Sequence, residues 1–197
     1  MRYCPPKIFN PIRAVFDLRV WKNQEGVAAI EFAMIMPIMF MLFVGAVEFS
    51  QAITVDRRVT QVASSTADLI ARSKEITTSE IDGIMLIINE LVKPYDPNPL
   101  KLTVSTVIAD PNDATATTVC WSYNHNSGVT NYSNGQSFAL PSGIVEAGGS
   151  VIVAEVEYNY TPLIFNYFIT TTKKLEETFY LKPRLSSSIE YNGTKCL

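Results

Sequence analysis

Glu31 is the one charged side chain in an apolar run from Val27 to Val47. A carboxylate inside a membrane-length segment is costly, and it tends to persist where it meets a counter-charge and serves a function. Its chemistry is therefore ion pairing at a fixed depth. It sits five residues after Gly26, in Glu25-Gly26-Val27-Ala28-Ala29-Ile30-Glu31-Phe32-Ala33. Other reactive side chains are sparse. The single histidine, His125, lies in an Asn/Ser/Gly-rich stretch with no neighbouring nucleophile or carboxylate pattern, and reads as a solvated residue. Glu155 and Glu157 share one strand face, and Glu176 and Glu177 are adjacent. Paired carboxylates can exchange protons, but a solvated strand face accounts for these. There is no phosphate-cradling glycine loop, no zincin motif and no metal-ligand spacing. No catalytic residue, metal, cofactor or small-molecule substrate is assigned. The triplets beginning at Asn131, Asn159 and Asn192 match the glycan-acceptor pattern, which Thr-rich strands produce by chance.

The element that must hold Glu31 is a helix. The run Val27–Val47 has 21 residues, about 31 Å of helix and enough for one bilayer crossing. A cleavable secretory signal has a shorter apolar region ending in a small-x-small site, and Glu48-Phe49-Ser50 is not one. The segment reads as a retained anchor. Before it, Arg2, Lys7, Arg13, Arg19 and Lys22 oppose Asp17 and Glu25, a net +3; after Glu48 stand 11 basic and 15 acidic residues, a net −4. The positive flank stays cytoplasmic, so the carboxy-terminal part is exported. An overall charge of −3 and no basic patch argue against nucleic-acid binding. Cys4 then lies on the reducing side, and Cys120 and Cys196 on the oxidising side, where a disulfide between them would persist. Two unpaired exported thiols are the other reading.

The rest of the chain reads as α+β. Residues 1–26 form a polar leader in which Pro5, Pro6 and Pro11 prevent one continuous helix, with Arg13–Trp21 able to form a short amphipathic one. Residues 27–48 are the transmembrane helix, and 49–74 continue it. Val55, Val59, Val62, Thr66, Leu69 and Ile70 recur at three- and four-residue spacing, a stripe expected to seat the helix on its own domain. Pro37 removes one helical hydrogen bond within the span. Residues 75–197 form the exported domain. A second helix is expected over 78–92, capped by Ser79 with Asp82 or by Thr77 with Glu80. Strands of an antiparallel sheet are expected at Lys101–Ala109, Thr115–Asn124, Ser150–Tyr160 and Lys174–Tyr191, the last broken by Pro183. Asn124–Gly149 is a long loop. Pro162–Ile169 is too short for a second span and suits a bend beneath the sheet or on the membrane.

Gly-Val-Ala-Ala-Ile-Glu-Phe-Ala from Gly26, followed by Pro37 and Gly45-Ala46-Val47-Glu48-Phe49, resembles the TadE/TadG-like family over about residues 24–72. That family comprises pseudopilins, or minor pilins, of the Tad (Flp-type) pilus system, and the resemblance implies a pilin-like architecture. It also implies a prepilin peptidase cut between Gly26 and Val27, with Glu31 and Phe32 serving assembly with other pilins and Tad proteins in the bacterial inner membrane. TadG-like members keep a similar helix uncleaved, and the long leader and bulky Val27 suit that reading as well.

Overall fold

The computed structural model describes residues 26–164, 166 and 172–196. Residues 1–25 of the leader, with Cys4 and the segment Arg13–Trp21, lie outside the described residues, as do four of the eight residues of the Pro162–Ile169 bend. The chain divides into two compact units, one ending at Ala46 and one starting at Val47.

The described part of the first unit is the apolar half of helix α1 (Val27–Ala71), with Pro37 inside it. Its side chains face outward: Ile30, Met34, Phe40 and Leu42 are all more than 60% exposed. A helix apolar all round whose side chains are open among the described residues suits lipid as its surroundings. The second half of α1 has different chemistry. Val55, Val59, Val62, Ala63, Thr66, Ala67, Ile70 and Ala71 are buried, while Asp56, Arg57 and Gln61 face outward. Valine and alanine at these positions let the helix lie close against the domain.

α1 stops at Ala71, short of residue 74, because Glu75–Ile76 is taken by a two-residue strand, β1. β1 pairs in parallel with β6 (Glu190–Tyr191), placing Ile76 opposite Tyr191. Helix α2 (Thr78–Val92) follows, and the Thr77 and Glu80 pair caps it. The Glu80 carboxylate accepts the Thr77 N–H at 2.8 Å, and these bonds hold its pKa below the usual value. Ser79 lies inside the helix, one residue past its start, and is not the cap. Ile81, Met85, Ile88 and Val92 are buried at four- and three-residue spacing.

Four strands form an antiparallel sheet in the order β3-β2-β4-β5: β2 Leu100–Ala109, β3 Thr117–His125, β4 Ser150–Tyr160 and β5 Lys173–Leu181. The last expected run ends at Leu181, two residues before Pro183, and only Glu190–Tyr191 resumes as strand. One face of the sheet carries Leu100, Leu102, Val104, Ile152, Ala154 and Val156 in the same core as the buried stripes of α1 and α2. The opposite face is also covered. Val107, Val119, Val151 and Val153 pack with Phe138, and Tyr132, Leu140 and Ile144 join from the long loop after β3. That loop is pinned to the β3 edge, where Val119 N–H donates to Gln136 O at 2.8 Å and Phe138 N–H to Thr117 O at 3.0 Å.

The loop turns back through residues in the left-handed region: Asn126, Ser127 and Gly128 have φ of 49°, 71° and 65°. At Gly128 a Cβ would collide with Asn124 Oδ1 and stand 2.8 Å from Thr103 Oγ1, so any larger residue must displace these side chains and adopt a left-handed backbone. The buried Thr103 hydroxyl organises this turn. It donates to Asn124 Oδ1 at 2.8 Å and accepts from Val129 N–H at 2.8 Å. Burying it is tolerable because it is fully bonded.

Candidate functional site

The residues singled out near the head of α1 occupy its exposed beginning. Val27 is 49% and Phe32 66% exposed, and Glu31 is exposed as well. Val27 and Glu31 are four apart, hence on the same helix face one turn from each other. Glu31 joins no ion pair among the described residues. A Cβ on Gly26 would meet nothing within 4 Å, so packing among these residues does not require the glycine. α1 is long and apolar enough to cross a membrane, with a hydropathy of 2.3 over its most apolar window. The arrangement presents one unpaired carboxylate on an otherwise greasy rod. Buried in lipid, such a group costs about 3 kcal/mol, which a partner cation would recover.

Glu48, the residue after the apolar run, behaves differently. It is only 5% exposed. Its Oε1 accepts the Ile164 N–H at 2.6 Å, while Oε2 has no partner among the described residues. Beside it, burial and then the Glu48 charge push the Tyr160 phenol above its ordinary pKa. Sequence patterning marked Glu48 only as the end of the span. Its burial depends on a chain segment more than a hundred positions away.

Cys120 and Cys196 are joined in a disulfide across 76 positions. A bulge puts Cys120 where this is feasible. Thr106 pairs with Trp121 and Val107 with Val119, leaving Cys120 as the extra residue of β3. Cys120 and Trp121 therefore both join the helix-side core, although they are adjacent. Trp121 stacks on Tyr191 at 5.0 Å and donates its indole N–H to Ile189 O at 2.7 Å.

Three acidic and imidazole groups of the domain depart from expectation. Glu155 and Glu157 do not form a solvated face, because Tyr132 of the loop after β3 bonds to Glu155 while Lys101 and Lys174 flank Glu157. Glu157 is buried and accepts from Lys101 Nζ at 3.1 Å and Lys174 Nζ at 2.9 Å. Lys174 and then Lys101 hold its carboxyl below the usual range against the opposing effect of burial. Glu155 accepts the Tyr132 hydroxyl at 2.9 Å, and burial pushes its carboxyl up against that bond. His125 is half-buried at the end of β3 rather than solvated. Burial lowers its pKa, and Asp82 partly offsets this. Asp82 also accepts the Tyr123 hydroxyl, and burial followed by that bond raises the phenol's pKa. Among the described residues no group of three His, Cys, Asp or Glu could hold a metal ion.

Residues 26–68 match the family model described as TadE-like protein. The match begins at Gly26, takes in Glu31, Phe32, Pro37 and Glu48, and ends within the buried stripe of α1. No curated protein and no solved structure matches the chain.

Proposed function

We propose, from this TadE-like segment, that the protein is a Tad pilus-associated membrane protein and, more narrowly, a pseudopilin, or minor pilin, taking part in pilus assembly rather than catalysis. The observation that carries the reading is Glu31, exposed near the head of an apolar α1 and inside the matched region. The protein is a single-pass component of the bacterial inner membrane. Its leader lies in the cytoplasm, by the +3 flank, and its α+β domain lies in the periplasm or on a surface pilus. A prepilin peptidase cuts between Gly26 and Val27. The new Val27 amine of one subunit pairs with the Glu31 carboxylate of a neighbour, and Phe32 packs beside that contact. Burying the carboxylate unpaired is penalised, so the pair selects one axial register between subunits. Ala28, Ala29 and Ala33 permit close approach of neighbouring helices.

Two measurements test this. Glu31→Ala is expected to leave the chain membrane-anchored with its disulfide formed, yet abolish its recovery in sheared pili. Unchanged piliation and surface attachment in that variant would refute the assembly role. Amino-terminal sequencing of the membrane-extracted protein is expected to begin at Val27. An intact Met1 in cells with active peptidase selects the uncleaved TadG-like reading, which the bulk of Val27 favours. A signal-anchored binding module or enzyme unrelated to pili would tolerate Glu31→Ala in both assays.

A further inference from the structure

The loops of the exported domain are polar, with one exception. The stretch after β3 is rich in Gly, Asn and Ser, and the turn between β2 and β3 carries Asp110, Asn112 and Asp113. The connection from β4 to β5 instead includes Pro162-Leu163-Ile164-Phe165-Asn166-Tyr167-Phe168-Ile169, without a charged residue. Two of its described side chains stand open: Leu163 is 68% and Ile164 39% exposed. A single exposed leucine is ordinary on a protein surface. Adjacent ones in an uncharged segment mark a surface that meets lipid or another chain.

The position of this connection selects between the two. Ile164 N–H donates to Glu48 Oε1 at 2.6 Å. Glu48 directly follows the apolar run, on a helix that continues to Ala71. With α1 as the anchor, Glu48 stands where hydrocarbon gives way to headgroups. A hydrogen bond from a backbone N–H to a carboxylate is a strong one, and it holds Ile164 at that level. Phe49, the next residue of α1, is 69% exposed and adds a third open apolar side chain there. The other end of the domain differs in height, not in residue type. Arg184 N–H donates to Ala71 O at 3.0 Å, and Ala71 lies about 34 Å beyond Glu48 along α1. Leu185, next to Arg184, is 58% exposed. It is an apolar side chain of the same kind at the end remote from the bilayer.

We propose that the β4–β5 connection makes a second membrane contact: Leu163 and Ile164, together with Phe49 of α1, rest in the interfacial layer of the leaflet on the exported side. The partner is the lipid surface, engaged by apolar burial and not by recognition of a particular headgroup. A single rod leaves the domain free to turn about its own axis. A rod with a contact at its side fixes that roll, and so sets which side of the domain faces along the bilayer. The proposal rests on α1 being a membrane anchor, not on pilus assembly.

The test uses the full chain carrying Cys4→Ser, reconstituted at one copy per nanodisc. Cys120 and Cys196 are bridged, so a fluorophore attaches only at an added cysteine: Leu163→Cys, Leu185→Cys or Phe40→Cys. All three positions are exposed, and formation of the Cys120–Cys196 bridge checks folding in each variant. The dye is the same throughout, so its own affinity for lipid cancels. Quenching by lipids spin-labelled near the headgroup, relative to quenching by aqueous iodide, is expected to be about tenfold higher at 163 than at 185, the ratio that burial of one leucine-sized group supports. Equal ratios at the two positions would overturn the proposal. So would shielding of position 163 that arises only when several copies share a disc, which assigns the connection to another subunit. The Phe40 label reports the premise on its own. Iodide access there would refute the anchor and the contact together, whereas a shielded Phe40 label with an open one at 163 refutes the contact alone.

Discussion

Reducing the Cys120–Cys196 bridge should loosen the carboxy-terminal tail and take a large share of the domain's stability with it. The bond closes a loop across 76 positions, for which the chain-entropy account gives about 4.5 kcal/mol. Residues 189–196 keep other restraints, among them a two-residue parallel ladder, the Trp121 indole bond to Ile189 O, the Trp121–Tyr191 stack, the bonds of Tyr191 and Asn192 to Thr78, and the buried Ile189 side chain. Each hydrogen bond or stack contributes about 1 kcal/mol, so the bridge is the largest single restraint. The assay is guanidinium unfolding of the detergent-solubilised full chain carrying Trp21→Phe, with and without reductant, followed by the emission of Trp121, which is 4% exposed when folded. With a slope of about 4 kcal/mol/M, the midpoint should fall by about 1 M. The double variant Cys120→Ala with Cys196→Ala should match the reduced protein. A fall below about 0.3 M at unchanged slope would show that the tail is held without the bond, and the entropic reasoning would be wrong for this chain.

Gly128→Ala should cost about 3 kcal/mol, combining a left-handed backbone with the clash against Asn124 and Thr103; unfolding midpoints check this, and a change under 1 kcal/mol would remove the close approach as its cause. Glu155 and Glu157 should show opposite pH signatures. Glu157 has a lowered folded pKa, so its contribution is present above the ordinary carboxylate pKa and is lost as pH falls through the folded value. Glu157→Gln should cost about 1 kcal/mol at neutral pH, since its lysines are 40% and 50% exposed, with the deficit vanishing in acid. Glu155 has a raised folded pKa, so its charge opposes folding at neutral pH and acidification relieves the cost. Glu155→Gln, which keeps an acceptor for Tyr132, should stabilise the protein at neutral pH and lose that advantage in acid; melting curves across pH 3 to 8 read both effects, and parallel profiles would refute the assignment.

What the sequence determined by itself was everything with a one-dimensional signature. The apolar run with Glu31, the stripe Val55–Ile70, helix α2 at both ends, and strand β4 all follow from periodicity and punctuation, because each is decided by neighbours within a few residues. The two capping patterns near Thr77 could be stated but not ranked until the helix start was known. Tertiary structure alone decided the rest. Glu155 and Glu157 looked solvated because an alternating strand shows which residues share a face, not what covers it; here Tyr132 of the loop bonds to Glu155, and Lys101 and Lys174 flank Glu157. The bulge at Cys120 has no signature in β3, since it exists only as a mismatch with β2. β1 and β6 are two residues each and form only when residue 75 meets residue 190. Glu48 is buried because Ile164, 116 positions later, donates to it. Local sequence sets what a segment can become, and contacts between distant segments, whose energy no window contains, set which groups end up enclosed.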